Sequence, residues 1–141
     1  LLDGDAVRSL YGDDLDYVES DRVIQINRLQ SLAAFLDKQG IVVVVAALYA
    51  HPDLLDWNRE QFSSYYEVYL DAPMEQLSER DSKGLYRKAR EGHMKDVVGV
   101  DIPWHAPQSS DMRVDTAKGD TPDALAAALA EKVSAQLEAT Q

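Results

Sequence analysis

The sequence contains no cysteine, which excludes disulfides, thiolate catalysis and zinc sites built on cysteine. Its three histidines, His51, His93 and His105, lack the spacing typical of metal ligands. No apolar run approaches the roughly 20 residues of a membrane-spanning helix. Basic residues are scarce, since 14 Lys and Arg stand against 25 Asp and Glu, and the net charge is −11. Such a charge opposes general binding to nucleic-acid polymers or to an anionic membrane.

The few basic residues are concentrated in one segment of the chain. Residues 80–95 hold six of the 14, namely Arg80, Lys83, Arg87, Lys88, Arg90 and Lys95. A basic segment in an acidic chain indicates either a solvated helix face or a binding site for a small anion. Charge alone favours the solvated face.

Strand-like and helix-like segments alternate over the 141 residues, a length that suits one domain. Residues 41–49 form an unbroken apolar, β-branched run, which predicts a strand buried on both faces. Shorter strands are predicted at residues 1–2, 66–70 and 112–116, the first followed by a turn at residues 3–5. A helix is predicted over residues 20–39, with Ser20 as N-cap and Gly40 just past its end. The apolar residues of this helix that fall on one stripe are Val23, Ile26, Leu29, Ala33 and Leu36.

Further helices are predicted after His51, over residues 73–80 and 82–92, and from Thr121 or Asp120 to the end of the sequence. The core stripe of that last helix consists of Leu125, Leu129, Val133 and Leu137. Residues 93–110 are predicted to form an irregular loop. The alternation of strands and helices predicts a three-layer α/β fold with a parallel sheet. Ligands of such folds bind at the carboxyl ends of the strands, here residues 3–5, 48–49 and 71–73.

Two groups of charged residues near these strand ends suit chemistry. A carboxylate at Asp5 could orient a hydroxyl or a hydrated Mg²⁺ and act as a base, while Arg8 could hold an anion. An Asp-Gly turn with a nearby ion pair is the simpler interpretation. Arg22 and Arg28 could face one cleft, or could be surface charges paired with neighbouring acids. For the three histidines, surface or hydrogen-bonded roles are favoured over catalysis.

Five segments occur in an order typical of one kinase family. They are Asp3-Gly4-Asp5-Ala6-Val7-Arg8, Tyr17 through Arg28, Glu67-Val68-Tyr69-Leu70-Asp71-Ala72-Pro73, Arg80 through Arg90, and Gly99-Val100-Asp101 with His105-Ala106-Pro107. In these segments the chain resembles the adenylyl-sulfate kinases, P-loop enzymes that use ATP to phosphorylate the 3′-hydroxyl of adenosine 5′-phosphosulfate. The segment from Arg80 to Arg90 is the most specific of the five.

The resemblance implies a three-layer α/β/α parallel sheet of the P-loop nucleoside-kinase type. It implies a single kinase-like domain over residues 1–141, with a lid region at about residues 80–107. ATP as co-substrate, Mg²⁺, small nucleotide substrates, a cytoplasmic location and a role in sulfate assimilation follow from it. It implies neither a nucleic-acid polymer nor a membrane as partner, and it leaves homodimer formation open.

The resemblance also assigns roles to individual residues. Asp5 would be the catalytic carboxylate, near the acceptor hydroxyl and holding Mg²⁺ through water, and Lys83 would stabilise charge beneath the lid. Arg80 and Arg87 would belong to the lid on the nucleotide side. The residues expected to bind the acceptor are Arg8, Tyr17, Arg22, Gln25, Leu48, Tyr49 and Val97, with the two arginines gripping its phosphosulfate.

The sequence departs from the family pattern at the phosphate loop. The motif Gly-x-x-x-x-Gly-Lys-Ser/Thr does not occur in the 141 residues. We expect it to precede Leu1 together with the central strand of the sheet. In the absence of that strand, we expect its neighbours to expose apolar residues.

The acceptor pocket departs as well. The family has Asn, Asn, Arg, Ser and Phe at the positions of Ala6, Gln25, Asn27, Tyr49 and Val97. A valine cannot stack on a base, and losing one stacking face costs on the order of 1 kcal/mol of recognition. Three hypotheses remain open: an adenylyl-sulfate kinase, a related kinase with another hydroxyl acceptor such as a sugar or a different nucleotide, and a non-catalytic nucleotide-binding domain.

Overall fold

The computed structural model describes residues 1–12, 14–81 and 84–139. In chain order its elements are β1 (Leu2–Asp3), α1 (Gly4–Leu10), α2 (Glu19–Asp37), β2 (Val45–Ala46), α3 (Pro52–Gln61), β3 (Val68–Asp71), α4 (Met74–Glu79), α5 (Leu85–Arg90), β4 (Met112–Asp115), a 3₁₀ turn (Thr116–Lys118) and α6 (Pro122–Ala139). Residues 93–110 contain one isolated β-bridge and are otherwise irregular, as the sequence predicts. None of the helices in the described ranges combines the length and apolar character that a membrane span requires.

The strands form two parallel pairs. β1 pairs with β2 in the register Leu2 to Val45, and β3 pairs with β4 from Val68 opposite Met112 to Asp71 opposite Asp115. Parallel pairing through intervening helices confirms the predicted α/β class. Among the described residues the two pairs are not joined into one sheet.

The apolar run of residues 41–49 does not form the predicted strand buried on both faces. Only Val45 and Ala46 are assigned to a strand, and Val42 and Val44 are 72% and 58% exposed. The prediction is wrong because β1 pairs with one edge of this segment and no strand of the described residues pairs with the other, so its side chains lack the second neighbour that burial requires. The sequence predicts exposed apolar residues on strands that lack their expected central neighbour. Such residues are found here and at Leu70 of β3, which is 62% exposed.

The helix ends differ from the sequence prediction in two places. The predicted turn at residues 3–5 is the start of α1, because the Asp3 carboxylate accepts hydrogen bonds from the backbone N–H groups of Asp5 and Ala6 at 3.0 and 2.9 Å. The N-cap of α2 is Val18 rather than Ser20. Thr121 does cap α6, accepting from the Ala124 N–H at 3.3 Å.

The buried residues lie mainly between α1, α2 and the loops at the strand ends. Leu29, Ala33 and Val7 are nearly inaccessible, which confirms the centre of the predicted α2 stripe. A second cluster joins Tyr49 to Val98 and Ile102. On α6, residues 125, 129 and 133 of the predicted stripe are half-buried and Leu137 is 38% exposed.

Candidate functional site

Asp5 lies in the first turn of α1, directly after β1 ends. Its side chain is exposed and has no hydrogen-bond or ion-pair partner in the described part of the chain. The backbone around it is fixed, since the Asp5 N–H donates to Asp3 and its carbonyl accepts from the Ser9 hydroxyl at 2.9 Å. The carboxylate is therefore held at the carboxyl end of a parallel strand and is available to a ligand.

Two arginines meet at the ring of Tyr17. The guanidinium of Arg8, from α1, lies 4.8 Å from the ring centroid, and that of Arg22, from α2, lies 5.6 Å from it. Arg8 donates to the carbonyls of Leu15 and Asp16 at 3.3 and 3.1 Å. Tyr17 as a whole is 56% exposed.

Arg22 is the more enclosed of the two arginines. It donates to the carbonyl of Tyr17 at 2.8 Å and to that of Asp96 at 2.6 Å. Burial, followed by the neighbouring charge of Arg8, lowers the pKa of Arg22. Within residues 1–12, 14–81 and 84–139, neither Arg8 nor Arg22 forms an ion pair, so their charges are not cancelled by a contacting carboxylate.

Arg28 does not join this pair of arginines. Its guanidinium forms an ion pair with Asp14 and lies 4.1 Å from the centroid of the Tyr11 ring. Hydrogen bonding from Arg28 lowers the pKa of Asp14. The sequence-based suggestion that Arg22 and Arg28 face one cleft is therefore not realised.

Tyr49 follows β2 and is buried, with 6% of its surface exposed. Its hydroxyl donates to the Glu19 carboxylate at 2.8 Å, and burial together with this hydrogen bond raises the pKa of Tyr49 to about 12. The ring packs against Val98 and Ile102 of the long loop. Leu48, its neighbour, is 61% exposed. Sequence reasoning placed Tyr49 in the acceptor pocket but did not find its bond to Glu19.

Gln25 connects α2 to the start of α1. Its Nε2 donates to the Gly4 carbonyl at 2.9 Å, and the residue is 5% exposed. Its Oε1 is buried without a hydrogen-bond partner among the described residues, a situation that costs about 1–3 kcal/mol. The side chain therefore holds the backbone beside Asp5 in place.

Residues 96–102 form a tight turn beside Arg22. The Asp101 carboxylate accepts from the N–H groups of Asp96 and Val97 at 2.7 and 2.6 Å, and these bonds lower the pKa of Asp101. Asp96 has a left-handed φ of 64°, which aspartate tolerates better than most residues. Val97 is half-buried in this turn.

The basic segment is organised by Asp81. Its carboxylate accepts from the N–H groups of Leu85 and Arg87 at 2.7 and 3.0 Å, which starts α5 and lowers the pKa of Asp81. Arg80 and Arg87 are exposed and form no ion pair with any described residue. Lys83, predicted to be catalytic, lies outside the described residues.

No group of three or more His, Asp or Glu side chains in the described ranges is arranged to hold a metal ion. His51 instead starts α3, where its Nδ1 accepts from the Asp53 N–H at 3.4 Å, and its ring lies 5.1 Å from that of His105. These contacts agree with the hydrogen-bonded role expected for His51.

Comparison with known proteins gives a consistent result. The adenylylsulphate kinase family model matches residues 1–115. An adenylyl-sulfate kinase of Synechococcus sp. (strain JA-3-3Ab) is 35% identical over 118 residues, which are 84% of this chain and 67% of that protein. A cytidine diphosphoramidate kinase of Campylobacter jejuni is 37% identical over 108 residues, which are 77% of this chain and 63% of that protein.

A solved structure of the Mycobacterium tuberculosis APS kinase CysC in complex with AMPPNP and APS superposes with a TM-score of 0.79 at 30% identity. The match covers 97% of this chain and 78% of that one. The chain spans about two thirds of the length of the two curated relatives above.

Proposed function

The chain belongs to the adenylylsulphate kinase family, and from this we propose that it transfers the γ-phosphoryl group of ATP to the 3′-hydroxyl of adenosine 5′-phosphosulfate. In this proposal residues 1–141 act as one kinase domain, with a lid at about residues 80–107. The reaction would serve sulfate assimilation. A kinase that consumes ATP needs a compartment that supplies it, so we propose a cytoplasmic location.

The observation that carries this proposal is the meeting of Arg8 and Arg22 at the Tyr17 ring. A phosphosulfate has two linked anionic groups, and two guanidinium groups without contacting carboxylates match that charge. The exposed Tyr17 ring offers a face on which a nucleobase can stack. Charge and stacking surface thus occur side by side, as recognition of a nucleotide with an anionic tail requires.

Asp5 is the group that we assign to the reacting hydroxyl. Its carboxylate would accept the proton of the 3′-hydroxyl while that oxygen bonds to the γ-phosphorus and ADP leaves. An exposed carboxylate without a protein partner also fits a hydrated Mg²⁺, which proteins hold through one or two carboxylates and the substrate's phosphates. When bound, Mg²⁺ would offset charge on the phosphates of ATP.

The basic segment supplies the remaining positive charge in this proposal. Arg80 and Arg87 are exposed and without a contacting carboxylate in the described residues, so they are available to phosphate oxygens. Lys83, between them in sequence, would act with them beneath the lid. Concentrated positive charge at the transferred group is how kinases stabilise the transition state.

A second acceptor class is favoured by the pocket itself. Val97 offers no stacking face, and the ring of Tyr49 occupies the core beneath the 96–102 turn. A relative at 37% identity is a cytidine diphosphoramidate kinase. Another nucleotide with an anionic tail, such as a cytidine diphosphate derivative, is therefore the alternative acceptor.

The test is an ADP-release assay on the full-length protein with ATP, offering adenosine 5′-phosphosulfate and cytidine diphosphate derivatives in parallel. Asp5→Ala should lower kcat roughly 100-fold or more, because the base is lost. Asp53→Ala is the matched control, since Asp53 is also an exposed carboxylate in the first turn of a helix, and it should leave kcat unchanged. Turnover with the first acceptor no higher than in Asp5→Ala would refute the principal proposal, and turnover with the second alone would select the alternative.

A further inference from the structure

Glu19 and Arg22 lie three residues apart in the first turn of α2. Side chains at this spacing are neighbours on a helix surface, where a Glu and an Arg are close enough to form an ion pair. They do not pair here. The Glu19 carboxylate accepts from the Tyr49 hydroxyl at 2.8 Å, while Arg22 donates to two backbone carbonyls.

Tyr49 is well fixed for this contact. The residue is only 6% exposed and packs against Val98 and Ile102, so the hydroxyl has little freedom to leave Glu19. With a pKa raised to about 12, the phenol stays protonated and remains a donor at neutral pH. Arg22 lies near enough for its charge to act on Tyr49. The hydroxyl, the carboxylate and the guanidinium thus share one small region.

We propose that Tyr49 is a positioning residue of the anion site: its hydroxyl holds the Glu19 carboxylate away from Arg22 and so keeps that guanidinium available to the acceptor's anionic group. Without the hydroxyl, Glu19 would turn to its helical neighbour Arg22. It would then compete directly with the ligand for the same donors and add a negative charge beside the bound anion. The proposal rests on the proposed function for the role of Arg22, and it does not depend on which nucleotide is the acceptor.

The experiment measures binding of inorganic pyrophosphate to the full-length protein by calorimetry, because this probe has two linked anionic groups and no base. Tyr49→Phe keeps the buried ring and removes only the hydroxyl. It should weaken pyrophosphate binding roughly fivefold or more, the effect of a new competing ion pair at a partly buried site. The double variant Glu19→Gln/Tyr49→Phe should bind within about twofold of wild type, since the competing charge is then absent.

Tyr65→Phe is the matched control. It removes a tyrosine hydroxyl that donates to a different glutamate, Glu67, at 3.1 Å. Stability should fall in this variant while pyrophosphate binding stays unchanged. In the kinase assay, Tyr49→Phe should raise KM for the acceptor and leave KM for ATP unaltered, a split that general destabilisation would not produce.

The proposal is overturned by wild-type binding in Tyr49→Phe, by a double variant as weak as Tyr49→Phe, or by no pyrophosphate binding in the wild type. Loss of binding in Arg22→Gln would locate the probe at the expected site, and unaltered binding there would also count against the proposal. The expected variant effects on pyrophosphate binding, without phosphoryl transfer to any nucleotide, would refute the proposed function and leave the role of Tyr49 at the anion site standing.

Discussion

At the scale of single residues, aspartates of this chain organise its loops by accepting backbone hydrogen bonds. Asp3 accepts two N–H groups at the start of α1, Asp81 accepts two at the start of α5, and Asp101 accepts two in the turn beside Arg22. Each of these backbone segments carries a residue of the candidate site. The acidic composition therefore serves local structure around a site that is itself basic.

Asp101 gives a prediction about pH. Its pKa is lowered by the N–H groups of Asp96 and Val97, so its ionised form stabilises the fold. That stabilisation is complete above the unfolded-state pKa of about 3.9 and is lost as pH falls through the lower folded-state value. Asp101→Asn should therefore be less stable than wild type at pH 6, and the difference should shrink below about pH 4. Thermal unfolding at both pH values measures this, and a difference that grows on acidification would contradict it.

The sequence indicated several residues of the candidate site but not the residues to which they hydrogen-bond. Asp5 and Arg8 could be singled out because they follow a predicted strand end, whereas Tyr17, and the phosphosulfate-binding roles of Arg8 and Arg22, came from the resemblance to the kinase family. The bond from Tyr49 to Glu19 spans 30 residues of chain. Such a contact depends on how α2 packs against the strand ends, and no local pattern reveals it.

At the scale of elements, α2 begins without a side-chain cap. Val18 has the extended backbone of an N-cap, with φ −60° and ψ 155°, and its carbonyl accepts from the N–H groups of Asp21 and Arg22 at 3.1 Å each, but its side chain offers no acceptor to the first turn. Val18→Ser should therefore raise the free energy of unfolding by about 1 kcal/mol, because the hydroxyl can accept an N–H of that turn.

Urea unfolding of the Val18→Ser variant measures this gain. Val18→Ala is the control, since it removes the same exposed apolar side chain without adding an acceptor, and it should show no gain. Equal stability of the two variants would mean that the first turn of α2 is already satisfied by its own backbone bonds.

Helices were predicted correctly where short-range sequence signals determine them. The period of α2, Pro52 at the start of α3 and the cap at Thr121 are all local signals, and each predicted element is present. The apolar run of residues 41–49 was misjudged because its burial depends on neighbours on both edges. The absence of the phosphate-loop motif predicted exposed apolar residues on the neighbouring strands, but the run itself does not indicate which edge is covered.

At the scale of the whole molecule, the two strand pairs differ in how many register pairs and side-chain bonds hold them together. β3 and β4 share four register pairs, and the Glu67 N–H donates to the Asp111 carboxylate at 2.7 Å. Arg59 contacts both acids, at 3.5 Å from Glu67 and 3.3 Å from Asp111. β1 and β2 share two register pairs beside a segment of exposed valines.

Because no described strand joins the two pairs, they need not open together. Local stability follows local burial and hydrogen bonding. Native-state hydrogen exchange should therefore show the amide of Val114, the buried residue of β4, protected at least tenfold more than the Leu2 amide, which donates to Val44 at 2.7 Å. Asp111→Asn should lower protection in β3 and β4 and leave β1 and β2 unchanged, since Asp111 bonds to Glu67 and to Arg59 of α3 and to no described residue of β1 or β2. Equal protection at Val114 and Leu2, or a uniform loss in Asp111→Asn, would show instead that packing through α2 and α3 couples the two halves into one cooperative unit.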